Sequence, residues 1–169
     1  MIQVVRGDLT AAGTECILRP VRSDGAAVTG VGRRLEELAG DAVLERLGAQ
    51  GDSPVGTALL TPAGGLDCSF LLHVVVQSIE EPVSAAALRR GLLNALRRAG
   101  DFGIESVALP PLGIVAGALE AEEMARAVVE ILREHLAQER PPSHFRIVVE
   151  SEYEESVFRV AAARPSQEA

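Results

Sequence analysis

The chain has 169 residues, including two cysteines, carries a formal charge of −8 at pH 7, and is 47% hydrophobic but only 3% aromatic. A chain of this length forms one domain that buries roughly 70% of its unfolded surface without disulfides or metals. The acidic balance excludes a broad basic face, so we predict no general nucleic-acid binding. A core of Leu, Val, Ile and Ala is typical of a sheet covered by helices.

The first half of the chain alternates strand-like runs with one helical stripe. Apolar runs bounded by turn residues predict strands at residues 2–5, 16–21, 56–63 and 70–76. The last two runs are separated by Gly64-Gly65 and predict a hairpin. Apolar residues at helical spacing from Val31 to Leu47 predict a helix that Gly40 interrupts.

The second half continues the alternation. Ser84 is a predicted cap for a helix that ends near Gly100 or Gly103. A strand at 106–109 precedes a helix whose predicted core face is Met124, Val128, Ile131, Leu132 and His135. Pro141-Pro142 ends that helix, and a strand at 144–150 and a helix at 152–163 follow. We predict one domain over 1–163 and a disordered tail over 164–169.

This alternation predicts a layered α/β fold, in which ligands favour the carboxyl ends of the strands. Two connectors follow such ends, Gly7 to Thr10 after the first strand and Leu112 to Leu119 after the strand at 106–109. The second connector contains two glycines and leads into a helix, which suits either an anion-binding loop or a tight connection within the sheet.

The thiols and imidazoles are scattered. Cys16 and Cys68 form no C-x-x-C pair and are predicted to be buried reduced thiols in strands, and the three histidines fit no metal-ligand spacing. We therefore predict no metal site and no cofactor. The chain also contains neither G-x-S-x-G nor G-x-x-x-x-G-K-[ST], which argues against serine-hydrolase and P-loop chemistry.

The apolar runs are short and interrupted by charge, and "MIQVVRGDLTAAG" lacks a basic segment followed by an apolar one. The expectation is a cytoplasmic protein with no membrane contact.

Five motifs occur in an order that resembles the macrodomain family. They are "VVRGDLT" (4–10) for the family's G-D-I-T, "GAAV" (25–28) for G-G-G-V, "VGTALLTPAGGL" (55–66) for G-E-A-x-x-T, "LLHVVV" (71–76) for V-I-H-x-V, and "LPPLGIVAG" (109–117) for F-P-x-[IL]-[SG]-T-G-[IV]-x-G. The match extends over nearly the whole chain.

The resemblance implies a three-layer α/β/α sandwich around a mixed sheet, with a cleft for ADP-ribose. In the family, the aspartate and the following residue contact adenine, and these positions fall on Asp8 and Leu9. Two loops wrap the diphosphate with backbone N–H groups. Their positions are Gly25, Ala26, Ala27 and Val28 in the first loop and Gly113, Ile114, Val115, Ala116 and Gly117 in the second. Amide donors would let an acidic protein hold an anion.

Two of these positions also have structural interpretations. Asp8 follows a glycine and could cap a turn or the next helix through its carboxylate. His73 falls on a strand position of the family, which favours a hydrogen-bonded core histidine over a general base.

The sequence departs from the family where the distal ribose would lie. The family's N-A-A-N becomes Arg19-Pro20-Val21-Arg22, and only Ser23 and Asp24 remain of the loop that follows. Thr-Gly in the second diphosphate loop becomes Ile114-Val115, and a β-branched residue disfavours the conformations that glycine permits. The cradle is therefore expected to be narrower or differently bent.

Arg19 and Arg22 allow two outcomes. In the first, they pair internally or reach solvent, the cleft is partly filled, and the domain keeps the fold without the ligand. Since a buried charge requires a partner, Asp8 and Asp24 are the candidate partners. Alternatively they supply a guanidinium fork for a phosphate or carboxylate.

Three functions follow as hypotheses. The first is a module that binds ADP-ribose or a related nucleotide or anion without hydrolysing it. The second is a degenerate macrodomain that serves as a protein-interaction or structural module with no nucleotide ligand. The third, ADP-ribosyl hydrolysis, is disfavoured because the asparagines and the loop that would orient the distal ribose are missing.

Overall fold

The structure is a computed structural model that describes residues 1–112 and 120–165. Its strands are β1 Ile2–Arg6, β2 Cys16–Arg22, β3 Ala58–Pro62, β4 Phe70–Gln77, β5 Ser106–Leu109 and β6 His144–Val149. Its helices are α1 Gly30–Ala39, α2 Asp41–Gly48, α3 Ala85–Asp101, α4 Ala121–Leu136 and α5 Glu152–Ala163. A short 3₁₀ turn, Leu9–Ala11, follows β1. The element order agrees with the order predicted from periodicity.

The six strands form one mixed sheet in the order β1-β6-β5-β2-β4-β3. Strand β3 pairs antiparallel with β4, as the predicted hairpin requires, and all the other pairings are parallel. The carboxyl ends of the five parallel strands therefore meet at one end of the sheet. The connectors that were predicted to carry ligand contacts leave from that end.

Helices cover both faces of the sheet. Leu18, Leu72 and Ile147 point to the face covered by α3, α4 and α5, and they share one apolar cluster with those helices. The preceding or following strand residues Ile17, Leu71 and Val148 point to the opposite face, where α1 and α2 pack. This alternation along each strand produces the three-layer sandwich that the family resemblance implied.

Local signals account for several helix ends. The Ser84 hydroxyl accepts a hydrogen bond from the Ala87 amide at 3.1 Å and begins α3, as predicted. Gly40 has φ of +92° and lies between α1 and α2, so the predicted interruption is a left-handed residue that favours glycine. The predicted core face of α4 is buried along its whole length.

One prediction about the cysteines is wrong. Cys16 is buried in β2, but Cys68 lies in the turn between β3 and β4 and is only partly buried. The turn leaves the sheet before β4 begins at Phe70, so Cys68 does not share the burial of the strands. Both thiols are free, and burial raises the pKa of Cys16.

Helix α5 spans Glu152–Ala163, as predicted from the sequence. Arg164 and Pro165 follow it, and the remaining four residues of the predicted tail lie outside the described residues. The division into a domain and a disordered tail stays a prediction.

Candidate ligand-binding cleft

A cavity of about 160 Å³ opens at the carboxyl end of the sheet, where connectors meet the beginning of α1. Its walls are Leu9, Thr29, Gly30, Val31, Pro110, Pro111, Val148, Glu150 and Glu154. The walls thus combine apolar side chains with two carboxylates and the N-terminal turn of a helix. Segments that follow β1, β5 and β6 come together here, although they are far apart in sequence.

The first turn of α1 faces this cavity. The Thr29 hydroxyl caps α1 by accepting a hydrogen bond from the Gly32 amide at 2.9 Å. Gly30 and Val31 belong to the first helical turn, whose amides have no partner within the helix and carry the positive end of its dipole. Gly30 is exposed, and a Cβ placed on it would meet no atom within 4 Å. The cavity is therefore open at this point.

Asp8 acts as a cap in this structure. Its Oδ1 accepts hydrogen bonds from the Thr10 amide at 2.9 Å and from the Thr10 hydroxyl at 2.8 Å. The hydroxyl and then the amide hold the pKa of Asp8 below its usual value. The capping interpretation is confirmed. Adenine contact stays a prediction, and the exposed carboxylate is next to Leu9, which is buried in the cavity wall.

The amides of the first predicted diphosphate loop donate to groups of the protein itself. The Gly25 amide donates to the Arg22 carbonyl at 2.8 Å in a turn where Gly25 has φ of +85°. The Ala26 amide donates to Asp24 Oδ1 at 3.0 Å, and the Ala27 amide donates to Glu36 Oε1 at 2.8 Å. Two carboxylates of this chain therefore occupy donors that a diphosphate would use.

Arg19 is 1% exposed and uses its guanidinium in three directions. Its Nε donates to His73 Nδ1 at 2.8 Å, its Nη1 to Glu36 Oε1 at 2.6 Å and its Nη2 to the Gly25 carbonyl at 3.1 Å. Burial lowers the pKa of Arg19, and the Glu36 carboxylate opposes that shift. Glu36 thus joins a buried cation to the loop that precedes α1.

Asp8 and Asp24 were the candidate partners for both arginines, and neither of them is the partner of Arg19. Arg19 shares a face of β2 with Ile17 and therefore points toward α1, where Glu36 lies. The sequence contained one usable signal, a glutamate beside the core residue Leu35 on a helix that covers this face. Strand and helix were both predicted, but their relative placement was not.

Arg22 differs from Arg19 in its surroundings. It forms the predicted pair with Asp24, with Nη2 to Oδ2 at 2.8 Å and Nε to Oδ1 at 3.3 Å, and both side chains are about half exposed. The pair lies at the surface, where solvent weakens its attraction. Both arginines therefore pair within the chain. Whether they also exclude a ligand stays a prediction.

His73 is a buried core histidine, as predicted. Because Arg19 Nε can only donate, His73 Nδ1 accepts, and in the neutral ring the proton resides on Nε2 and faces Thr61 Oγ1 at 2.8 Å. Burial, and secondarily the charge of Arg19, hold the pKa of His73 well below its ordinary value. Both ring nitrogens are used inside the protein.

Two further observations bear on the site. Across residues 1–112 and 120–165, no cluster of three or more histidine, cysteine or acidic side chains has the arrangement of a metal site. The helices in the same ranges lack the combination of length and hydropathy needed to cross a bilayer.

The second predicted diphosphate loop, Gly113 to Gly117, lies outside the described residues.

Comparison with protein families decides the classification. A macro domain model matches residues 20–128, which is more than half of the chain. The chain belongs to the macro domain family. It is similar to a macro domain-containing protein of Streptomyces coelicolor, with 31% identity over 76% of this chain and 80% of that protein. A protein of uncharacterised function from Aquifex aeolicus is 32% identical over 78% of this chain and 81% of its own.

Solved macrodomains share the fold at lower identity. A Trypanosoma brucei macrodomain in complex with ADP-ribose superposes with a TM-score of 0.84 at 18% identity, covering 96% of this chain and 69% of its own. A mutant Oceanobacillus iheyensis macrodomain with ADPR superposes with a TM-score of 0.82 at 20% identity, covering 94% of this chain and 89% of its own. These macrodomains were therefore solved with ligands of the class that the motifs predicted.

Proposed function

We propose that this macrodomain binds ADP-ribose or a related adenine nucleotide without hydrolysing it. The observation that carries the proposal is the cavity between Leu9, the first turn of α1 and Pro110-Pro111. Leu9 directly follows Asp8 in the chain, and the Asp8 side chain is exposed. Apolar walls suit a heteroaromatic base, and a helix N-terminus suits a phosphate. The ligands of the two structural neighbours support the same class of molecule.

The non-hydrolytic part of this proposal rests on the residues at the end of the cleft where the family binds the distal ribose. Arg19 and Arg22 stand where the family has the asparagines that face the distal ribose, and Arg19 is held between His73, Glu36 and the Gly25 carbonyl. Hydrolysis requires a positioned water and an oriented ribose. A buried guanidinium whose three nitrogen atoms already donate to groups of the protein provides neither.

A matched pair of glycine variants tests the cavity. Gly30 and Gly48 are both exposed helical glycines with ordinary φ values, and a Cβ on either would meet no atom within 4 Å. Gly30 lines the cavity, whereas Gly48 is at the end of α2. We expect Gly30→Leu to abolish binding of ADP-ribose and Gly48→Leu to retain it, as measured by calorimetry.

Thermal unfolding gives a second measurement. Ligand at a hundred times its dissociation constant stabilises the folded state by about 2.7 kcal/mol, which raises the midpoint by about 5 to 10 °C for a domain of this size. Loss of the shift in Gly30→Leu but not in Gly48→Leu supports the proposal. Release of ADP-ribose from a modified protein by the wild-type chain would contradict the non-hydrolytic part.

The second candidate is a protein-interaction or structural module with no nucleotide ligand. It is favoured by one observation, the donation of the Ala26 and Ala27 amides to Asp24 and Glu36. A ligand could take these donors only by displacing two carboxylates. Wild-type protein that shows no thermal shift at millimolar ADP-ribose would support this second candidate. The predicted cytoplasmic location and protein partner stay predictions.

A further inference from the structure

A groove of about 430 Å³ lies between the edge strand β3 and helix α3, on the far side of β4 from the rest of the sheet. Residues 55–59 form one wall, and the other wall includes Arg90, Asn94, Arg97 and Arg98. These four residues recur at helical spacing, so they form one face of α3. We call this surface the β3 groove.

The β3 groove is basic in a chain of net charge −8. Three arginines line it against a single acidic residue, Asp101, and all three arginines are exposed. Within residues 1–112 and 120–165, Arg97 and Arg98 form no ion pair, although the Arg98 guanidinium lies 5.9 Å from the ring centroid of Phe102. The groove therefore presents guanidinium groups that an acidic partner could pair with.

Within residues 1–112 and 120–165, no strand pairs with the outer edge of β3. The Thr57 carbonyl accepts from the Val75 amide at 2.9 Å. Since bonding alternates along an antiparallel strand, the backbone groups of Ala58 and Leu60 point away from β4. The side chains of Ala58 and Leu60 are only partly buried. Such an edge can accept another strand.

The segment just before β3 is held in place by α3. Asn94 Nδ2 donates to the Gly56 carbonyl at 2.8 Å, and Arg90 Nη2 donates to the Val55 carbonyl at 3.2 Å. Arg90 also contacts Glu81 at 3.4 Å, in a pair whose side chains are both about half exposed. Because helix and edge strand are joined by these bonds, the arginines keep a constant position relative to the open backbone edge.

We propose that the β3 groove binds an extended acidic peptide segment, which adds to β3 as a further strand and pairs its carboxylates with Arg97, Arg98 and Arg90. Side chains on one face of a strand recur about every 7 Å. Arg90 and Arg97 are separated by about 10 Å along the helix axis, within the reach of flexible arginines. Alternate acidic residues of the peptide can therefore meet successive guanidinium groups.

Backbone pairing favours a peptide over a nucleic acid as the occupant. An open strand edge offers alternating N–H and C=O groups, which match another strand and not a sugar-phosphate chain. The basic surface is confined to one face of α3, whereas nucleic-acid binding relies on many phosphate contacts. The net charge of −8 also disfavours a long polyanion.

Fluorescence anisotropy with a labelled heptapeptide of alternating Glu and Val tests the proposal. Arg97→Glu is the test variant, and Arg46→Glu is the matched control because Arg46 is also an exposed helical arginine, on α2. We expect Arg97→Glu to weaken binding about tenfold or more and Arg46→Glu to change it less than about twofold. Thermal midpoints of both variants establish that they fold.

The strand-addition component has its own test. Ala58→Pro removes an outward amide at the first residue of an edge strand, where proline is tolerated, and we expect about tenfold weaker binding. A heptapeptide with N-methylated amides tests the same pairing without changing the protein, and it is expected to bind at least tenfold more weakly.

Three results would overturn the whole proposal, and a fourth would overturn only its strand-addition component. One is the absence of peptide binding at 1 mM, and another is an equal loss in Arg97→Glu and Arg46→Glu. The third is tighter binding of a single-stranded oligothymidylate than of the peptide, with loss of that binding in Arg97→Glu. This result would assign the groove to nucleic acid. Unchanged binding of the N-methylated peptide would overturn the strand addition.

Discussion

Two regions of the candidate cleft differ in whether groups of the protein itself fill them. Near Leu9 and Gly30 a cavity remains open, with apolar walls and the start of α1. Around Arg19, a region that we call the closed end, groups of the protein bond to one another: a buried guanidinium, the Glu36 carboxylate and the His73 ring. The protein thus leaves space beside Leu9 and Gly30, whereas the polar groups around Arg19 are bonded to one another.

The difference arises from the needs of a buried charge. Once arginine stands at position 19 on the α1 side of β2, it must have acceptors, because an unpaired guanidinium in the interior is costly. Glu36, His73 and the Gly25 carbonyl supply them. Glu36 also accepts from the Ala27 amide, so the same carboxylate occupies a donor of the first predicted diphosphate loop.

The largest expected effect is on stability at the closed end. Arg19→Ala leaves Glu36 and His73 without their partner, and we expect a loss of about 3 kcal/mol in the free energy of unfolding. Arg22→Ala, the matched control, breaks only an exposed pair and should cost less than about 1 kcal/mol. Urea denaturation measures both, and equal losses would contradict the distinction between the two arginines.

Acid should also weaken the closed end. The pKa of His73 is lowered in the folded state, so the unfolded chain binds a proton more readily as pH falls below about 6.5. Stability is therefore present above pH 6.5 and is lost as pH falls, at up to about 1.4 kcal/mol per pH unit for one proton. His135 has a lowered pKa as well, owing mainly to burial, and adds a loss of the same sign.

The variant His73→Gln separates the contribution of His73 to the acid sensitivity from that of His135. It keeps side-chain atoms that can bond to Arg19 and Thr61 but removes the titration. We expect its unfolding free energy to fall less steeply between pH 6.5 and 5 than that of the wild type. Parallel curves would indicate that His73 contributes nothing to the acid sensitivity.

Two variants of Asp8, next to Leu9 of the open cavity, test whether its carboxylate only caps the turn or also contacts the ligand. Asp8→Asn retains an oxygen for the Thr10 amide, so stability should change by less than about 0.5 kcal/mol, whereas Asp8→Ala removes the cap and should cost about 1 kcal/mol. If the carboxylate accepts from adenine, Asp8→Asn weakens ADP-ribose binding about tenfold, because a charged acceptor makes the stronger bond. If calorimetry shows that Asp8→Asn binds ADP-ribose with unchanged affinity, the role of Asp8 is limited to capping the turn.

The smallest expected effect concerns the ligand itself. If Arg19 and Glu36 occupy the distal-ribose end, as proposed, that ribose gains few contacts, and we expect ADP and ADP-ribose to bind within about threefold of each other. Titration of the wild-type protein with both ligands measures the ratio. A preference for ADP-ribose of thirtyfold or more would show that the closed end rearranges to contact the distal ribose.

Periodicity predicted most of the fold correctly. The Gly40 break, the Ser84 cap, the β3–β4 hairpin and the core face of α4 were all predicted from local sequence, because each depends on residues close together in the chain. Cys68 was misplaced because an apolar run does not specify the residue at which a turn joins the sheet. Asp24 was already a candidate partner of Arg22, because the two residues are only two positions apart in the chain.

The amino-acid order alone therefore determined the elements, their sequence along the chain and the family motifs, since these are local patterns of spacing and residue type. Only the tertiary structure decided that Glu36 meets Arg19 and that Leu9, Gly30 and Pro110 enclose one cavity. Such contacts join residues from separate layers or connectors. Their geometry depends on how strands and helices pack, and no local pattern in the chain encodes it.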